Sequence, residues 1–218
     1  MSAQHWYIYG AGGLGVETLD ILSPLLSQKQ QVSVKFTIDD EFISQAPKLL
    51  HEIPVVGFSK TQTGQVTIAI GEPALRDKIM LELANSTMQL ASIISQHAIV
   101  SPFASIGAGC IVAPLCSIQA RATLKDNVAV NTSAIIGHDV VVGQSSVISS
   151  QVNLGGGVHI GKASYIGMGA LIKEGVRIGD NVIIGMGSVV HKDIPDGVIA
   201  MGNPARPLKK NTEQKVFK

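Results

Sequence analysis

His138 and Asp139 stand side by side in the stretch NTSAIIGHDVVVG. An unperturbed imidazole titrates near ~6.5, so it can accept a proton at neutral pH. A neighbouring carboxylate can orient the ring and stabilise its protonated form. The pair is therefore a candidate general base with its orienting acid. A second constellation lies near the start of the chain. There Gly10, Gly12 and Gly15 match G-x-G-x-x-G between a strand-like WYIYG and a helix-like GGLGVETLDILSPLL, and the acids Asp39 and Asp40 follow about 24 residues later. A glycine turn entering a helix offers backbone N–H groups to a phosphate. The first ninety or so residues hold only about half of a dinucleotide-binding fold, and no second domain follows that could present a hydride acceptor. The turn and the acid pair are accordingly read as a nucleotide-sugar site, with NAD-type binding and a purely structural turn as the alternatives.

These groups must be positioned by a repeat. From Ile106 in steps of six stand Ile106, Val112, Ile118, Leu124, Val130, Ile136, Val142, Ile148, Leu154, Ile160, Ile166, Ile172, Ile178, Ile184 and Val190, aliphatic without exception. Four places after each aliphatic comes a small or Val-sized residue, from Cys110 and Cys116 to Ser188, and Ile194 ends the series. Gly follows the aliphatic directly in eight of the fifteen hexads, Gly137 and Gly143 among them. Glycine tolerates the backbone angles of a sharp corner. A period of six fits neither a helix nor a hairpin alternation. It fits short flat strands joined by corners, three hexads to a triangular coil and five full coils in all, spaced about 4.8 Å apart. The prediction is a parallel β-helix with the fourth-place residues inward. His138, just after the corner Gly137, points outward.

The first ninety-two residues carry no hexads and alternate strand-like and helix-like segments: WYIYG, GGLGVETLDILSPLL, QVSVKFTIDD, QVTIAIG and EPALRDKIMLELA. This alternation predicts a small α/β, Rossmann-like domain with its ligand beyond the carboxyl ends of the strands. The expected division is 1–92 for this domain and 93–218 for the β-helix with a C-terminal loop. Arg76 and Lys78 lie on the last of these helices, where they either meet a phosphate or face solvent.

Composition excludes several classes. Hydrophobic residues are 45% and charged residues 15% of the 218, which rules out a long disordered chain. Seventeen Lys plus Arg against sixteen Asp plus Glu, with only 4% aromatics, gives nucleic-acid binding no footing. No apolar run reaches membrane-spanning length, and no basic leader or cleavage site opens the chain, so a soluble cytoplasmic protein without membrane insertion is expected. Two Cys without a C-x-x-C motif are read as core.

YIYGAGGLG, IAIGEPALRDKI, and VNTSAIIGHDVVVG followed by hexads to AMGNPARPLK together resemble the bacterial hexapeptide-repeat sugar acetyltransferases, the family of sialic-acid O-acetyltransferases and nucleotide 4-amino-sugar N-acetyltransferases. The resemblance implies a left-handed β-helix, acetyl-CoA as co-substrate without a metal, and a homotrimer with the coenzyme between neighbouring β-helices. It implies His138 as general base, Asp139 as the acid raising its basicity, and Asn131 near the acceptor. Gly12, Gly13, Leu14, Asp39 and Asp40 fall at the nucleotide-sugar site. Gly156, Met168, Met186 and the tail Gly202, Asn203, Pro204 fall at the coenzyme site; Lys209 and Lys210 are read as a solvated basic terminus, with contact to phosphates as the alternative. Two departures concern the amino-sugar branch, which has His at the positions of Leu14 and Val147. The spacing of His138, His159 and His191 differs from the zinc-binding set of the γ-type carbonic anhydrases that share the β-helix. N-acetylation of a nucleotide-linked amino sugar in surface-glycan biosynthesis is the expected activity. O-acetylation of a sugar and a non-catalytic sugar-nucleotide scaffold are the alternatives.

Overall fold

The computed structural model describes residues 4–26, 32–61 and 63–217. Its N-terminal part is a six-stranded sheet formed by β1 (Gln4–Tyr9), β2 (Val32–Ile38), β3 (Leu49–Leu50), β4 (Ile53–Gly57), β5 (Gly64–Ile68) and β6 (Met88–Leu90) in the order β3-β4-β2-β1-β5-β6. All neighbours are parallel except the β3–β4 pair. Gln31, where the QVSVKFTIDD strand was expected to begin, lies outside the described residues. Side chains alternate along β1. Trp6 and Ile8 join Leu19 and Leu22 of α1 (Gly13–Leu26) in one core. Tyr7 and Tyr9 join Ile79 and Leu83 of α2 (Pro73–Leu83) in another. Strand order reverses direction between β1 and β5, the place where the carboxyl ends of a doubly wound sheet leave a crevice.

Seventeen two-residue strands, β7 (Ile93–Ile94) through β23 (Val189–Val190), follow. Each stacks in parallel on the strand eighteen residues away, as Ile111 on Ala129 and Ser117 on Ile135. Three flat faces result. The first begins with Ile93–Ile94, the second with Ile99–Val100 and the third with Ser105–Ile106. The two inward positions of each hexad are buried as the period requires: Ile148, Leu154 and Ile160 are 0% exposed, as are Ala134, Val140 and Ser146. Each large aliphatic so buried contributes about 1.5–3 kcal/mol. Parallel pairing throughout and a register of eighteen are those of a hexapeptide β-helix.

One sequence reading is extended and one corrected. The hexad series read from Ile106 runs two hexads further back, with Ile94 and Val100 beneath Val112 and Ile118. The glycines that follow the aliphatics are also not the residues that turn the corner. Positive φ falls two places later, at Arg121, Asn127, Ser133 and Asp139. Gly137 is required for a different reason: a Cβ there would lie 2.6 Å from the Leu154 carbonyl oxygen of the next coil.

The sheet unit packs on the first face, so that outward residues Ile111, Ala129 and Val147 are buried with α1 against the first coil. Arg76 locks this junction and is 0% exposed. Its Nε and Nη2 donate to the Asn127 carbonyl at 3.1 and 2.7 Å, Nη2 also reaches Asn127 Oδ1 at 2.8 Å, and Nη1 donates to the Ile68 and Ile70 carbonyls. Burial pushes the guanidinium down to about 10, so it stays charged at neutral pH. Arg76 therefore meets neither phosphate nor solvent, the two expectations from sequence. Lys78 does face solvent, 3.7 Å from Glu82. After the last coil, Val198–Gly202 continues the first face and Ala205–Lys210 pairs with it antiparallel, ending the stack.

Candidate active site

His138 sits at the corner between the second and third faces. Its side chain is 63% exposed, and Nδ1 lies 2.7 Å from Asp139 Oδ2. A carboxylate only accepts, so Nδ1 carries a hydrogen, and in the neutral ring Nε2 then has the lone pair. Arg121, eighteen residues before Asp139 and directly beneath it in the stack, donates from Nε to Asp139 Oδ1 at 2.6 Å and from Nη2 to Oδ2 at 2.8 Å. These bonds, Arg121 first and His138 second, hold the Asp139 carboxyl far below the usual carboxylate range. One coil above, Gly156 leaves the space that the imidazole occupies, and Gly157 N–H donates to the His138 carbonyl at 2.8 Å. Sequence reasoning singled out His138, Asp139 and Gly156 but missed Arg121, although the eighteen-residue register contains the signal.

Beside this corner a groove of about 470 Å³ runs along the second face, lined by Asn153, Gly155, Leu171, Lys173, Glu174 and His191 among others. Asn131, Met168 and Met186 belong to a different corner, between the first and second faces, because they follow first-face strands. Within one chain they do not converge on His138. Met168 and Met186 are 52% and 80% exposed, and Asn131 Oδ1 is buried with no hydrogen-bond partner among the described residues. Gly202, Asn203 and Pro204 form the exposed hairpin turn at the end of the stack. Lys209 and Lys210 are exposed on its second strand.

The second constellation forms a cavity of about 320 Å³ beyond the carboxyl ends of β1, β2 and β5, lined by Gly12, Gly13, Leu14, Asp39, Ala69 and Gly71 among others. The glycines divide by role. Gly10, at φ 115°, would place a Cβ 2.6 Å from the Ala69 carbonyl oxygen, and Gly15 would collide with the Gly10 carbonyl. Gly12 and Gly13 face open space, so their bare backbone is accessible to a ligand. The two acids also separate. Asp39 accepts from the Tyr9 hydroxyl inside the cavity, and burial followed by this bond drives the Tyr9 phenol well above its ordinary range. Asp40 instead accepts from Ser59 Oγ at 2.7 Å and Ser59 N at 3.0 Å, which lowers its carboxyl, and it does not line the cavity. Val147, one of the two departures from the amino-sugar pattern, is buried under the sheet unit rather than exposed toward a ligand.

Among the described residues, no group of three His, Cys, Asp or Glu is arranged to hold a metal. No described helix is long and apolar enough to cross a membrane.

Repeat and register together define a protein of the hexapeptide-repeat class. The family model described as bacterial transferase hexapeptide (six repeats) matches residues 157–192. The acetyltransferase domain of PglB from Neisseria gonorrhoeae is 32% identical, with 94% of this chain and 100% of that chain covered and a TM-score of 0.86. A mutant perosamine N-acetyltransferase from Caulobacter crescentus, in complex with CoA and GDP-perosamine, is 27% identical over 96% of this chain and 99% of that one, with a TM-score of 0.85. WeeI from Acinetobacter baumannii is 28% identical over 94% and 100%, with a TM-score of 0.86. Among curated proteins compared by sequence, none matches. The chain belongs to the bacterial hexapeptide-repeat sugar acetyltransferases and is an acyltransferase.

Proposed function

We propose that the protein transfers an acetyl group from acetyl-CoA to the amine of a nucleotide-linked amino sugar in bacterial surface-glycan biosynthesis, with His138 as general base and direct attack in a ternary complex. The observation that carries this reading is the corner arrangement of His138, whose Nδ1 is held by Asp139 at 2.7 Å while Nε2 is left free beside the side-chain-less Gly156. Nε2 removes a proton from the acceptor amine as its nitrogen attacks the thioester carbon. The resulting oxyanion needs a donor, and the Gly156 backbone amide is assigned to it; its collapse breaks the C–S bond, and the proton held on Nε2 passes to the departing CoA sulfur, which leaves as the free thiol. Support for the donor and acceptor comes from two relatives, one solved with acetyl coenzyme A and one with CoA and GDP-perosamine.

The unit formed by residues 1–92 is read as a Rossmann-like acceptor domain, with the nucleotide lying over Gly12, Gly13 and Leu14 and against Asp39. The β-helix of residues 93–218, read as left-handed, carries the chemistry. A homotrimer completes the site. The second face exposes Ile99, Ile135 and Leu171 at 75%, 37% and 48%, and such a strip favours closed symmetric association. Pairing this face between copies brings one chain's Asn131, Met168 and Met186 towards its neighbour's His138 and Gly156, with the coenzyme in the groove between them. Gly202, Asn203 and Pro204 then close on its outer end. The expected location is the cytoplasm.

The test is thiol release from acetyl-CoA with the purified protein against a panel of nucleotide amino sugars and free sialic acids. Release with a nucleotide amino sugar, reduced about 100-fold to 10,000-fold in His138→Ala with coenzyme binding retained, is the expected result. A fully active His138→Ala protein removes the assignment of the base, and release only with a free hydroxyl sugar replaces N-acetylation by O-acetylation.

A further inference from the structure

Arg121 has no place in the mechanism above, yet it is the strongest partner of the acid that holds the base. Its guanidinium grips Asp139 through two parallel bonds of 2.6 and 2.8 Å, the fork geometry that fixes the plane of a carboxylate. Nη2 takes the same Oδ2 atom that faces His138 Nδ1, so the three groups form one chain of contacts, Arg121 to Asp139 to His138. Both Arg121 and Asp139 turn their corners at positive φ, 59° and 60°. Equivalent backbone sites one coil apart therefore hold the two side chains in register. Arg121 and Asp139 are 68% and 42% exposed, so the pair adds little to stability. Its geometry bears instead on the imidazole that shares Oδ2.

We propose that Arg121 is a positioning residue for the acetyl transfer: it fixes the Asp139 carboxylate so that His138 keeps its hydrogen on Nδ1 and its lone pair on Nε2. The proposal rests on the reading of His138 as general base. Its physical logic is that a carboxylate with one free oxygen rotates about its Cβ–Cγ bond and releases the imidazole to either tautomer, whereas a forked guanidinium leaves a single orientation. Lysine, a point charge without the fork, restores the charge but not the plane. The positive charge of Arg121 also stabilises Asp139 as the anion, the form that only accepts.

The experiment uses the full chain labelled with nitrogen-15 histidine, comparing the wild type with Arg121→Gln and Arg121→Lys. The ring-nitrogen shifts of neutral His138, assigned by the loss of its signals in His138→Ala, report the tautomer directly and independently of turnover. The wild type is expected in the Nδ1–H form. Arg121→Gln is expected to gain a measurable Nε2–H population and to lose about 5-fold to 20-fold in kcat with little change in either KM, and Arg121→Lys to fall between. A wild-type tautomer distribution in Arg121→Gln overturns the proposal whatever happens to turnover. So does a shifted tautomer with wild-type kcat, because the orientation would then not matter to the reaction. If His138→Ala is itself fully active, the reading of the base fails instead, a result the tautomer spectra keep separate.

Discussion

A Cβ added to Gly156 would stand 2.5 Å from both Cε1 and Nε2 of His138 in the coil below. The imidazole therefore rests against bare backbone, and the nitrogen assigned to proton transfer is the one that touches it. Gly156 is not among the positive-φ glycines, so an alanine there is conformationally ordinary and its only quarrel is with the ring. Gly156→Ala is expected to displace the imidazole and reduce kcat by about 10-fold to 100-fold, while the thermal midpoint moves by no more than a few degrees. Steady-state kinetics with a melting curve checks both halves.

The apolar strip on the second face gives a prediction about assembly. Ile99→Glu combined with Ile135→Glu places like charges where copies are proposed to meet. Light scattering on the eluting protein should then give the single-chain mass of 22.9 kDa in place of three times that value. Far-ultraviolet circular dichroism should be unchanged, and thiol release should be lost with the trimer. A variant that remains trimeric would move the interface to another face.

Arg76 is buried without a carboxylate partner among the described residues, and its donors satisfy the carbonyls of Asn127, Ile68 and Ile70. Arg76→Leu strands those acceptors and is expected to destabilise the protein by about 3 kcal/mol or more. Urea unfolding with separate probes for the two units should also lose its single transition, because the residue that joins them is gone.

Cys110 fills an inward slot, and its thiol reaches the Lys125 carbonyl at 3.1 Å. Burial raises the thiol from 9.0 to about 11. The unfolded chain therefore ionises first as pH rises, so the contribution is complete below pH ~9 and is lost on the way to ~11. A tenfold difference in ionisation constant between the two states corresponds to about 1.4 kcal/mol. Unfolding free energy should fall between pH 8.5 and pH 10.5 more steeply in the wild type than in Cys110→Ala, whose smaller side chain already fills the same slot at Ala122. Equal slopes would show that Cys110 ionises alike in both states.

The β-helix was legible because both of its inward positions obey one period, and a residue that breaks the period has nowhere to go inside a triangular coil. Ile94 with Ala98 and Val100 with Ala104 obey the same rule without a following glycine, as do Val112 and Ile118. The Arg121 contact was equally available, since adding eighteen to any coil residue gives its neighbour above. The same arithmetic separates Met168 from His138, because thirty residues is one coil plus twelve, and Asn131, seven residues before His138, likewise follows a first-face strand and turns another corner. The fate of Arg76 could not be read this way. Nothing in the pattern of its helix marks a charged side chain for burial, and the acceptors that make burial tolerable are backbone carbonyls, which carry no sequence signature. Asp40 likewise looks identical to Asp39 until Ser59 is brought beside it.

The Arg76 contact also bears on how relatives of this family can be recombined. Exchanging first domains at the junction near residue 92 treats that domain as a self-contained module, but the guanidinium of one module is sheathed by Asn127 of the other. A graft that carries Arg76 onto a foreign β-helix lacking its amide partner leaves a buried guanidinium short of an acceptor in a dry seam. Chimaeras that transplant the first domain with Asn127, two coils into the solenoid, should express as folded protein where cuts at the visible boundary do not.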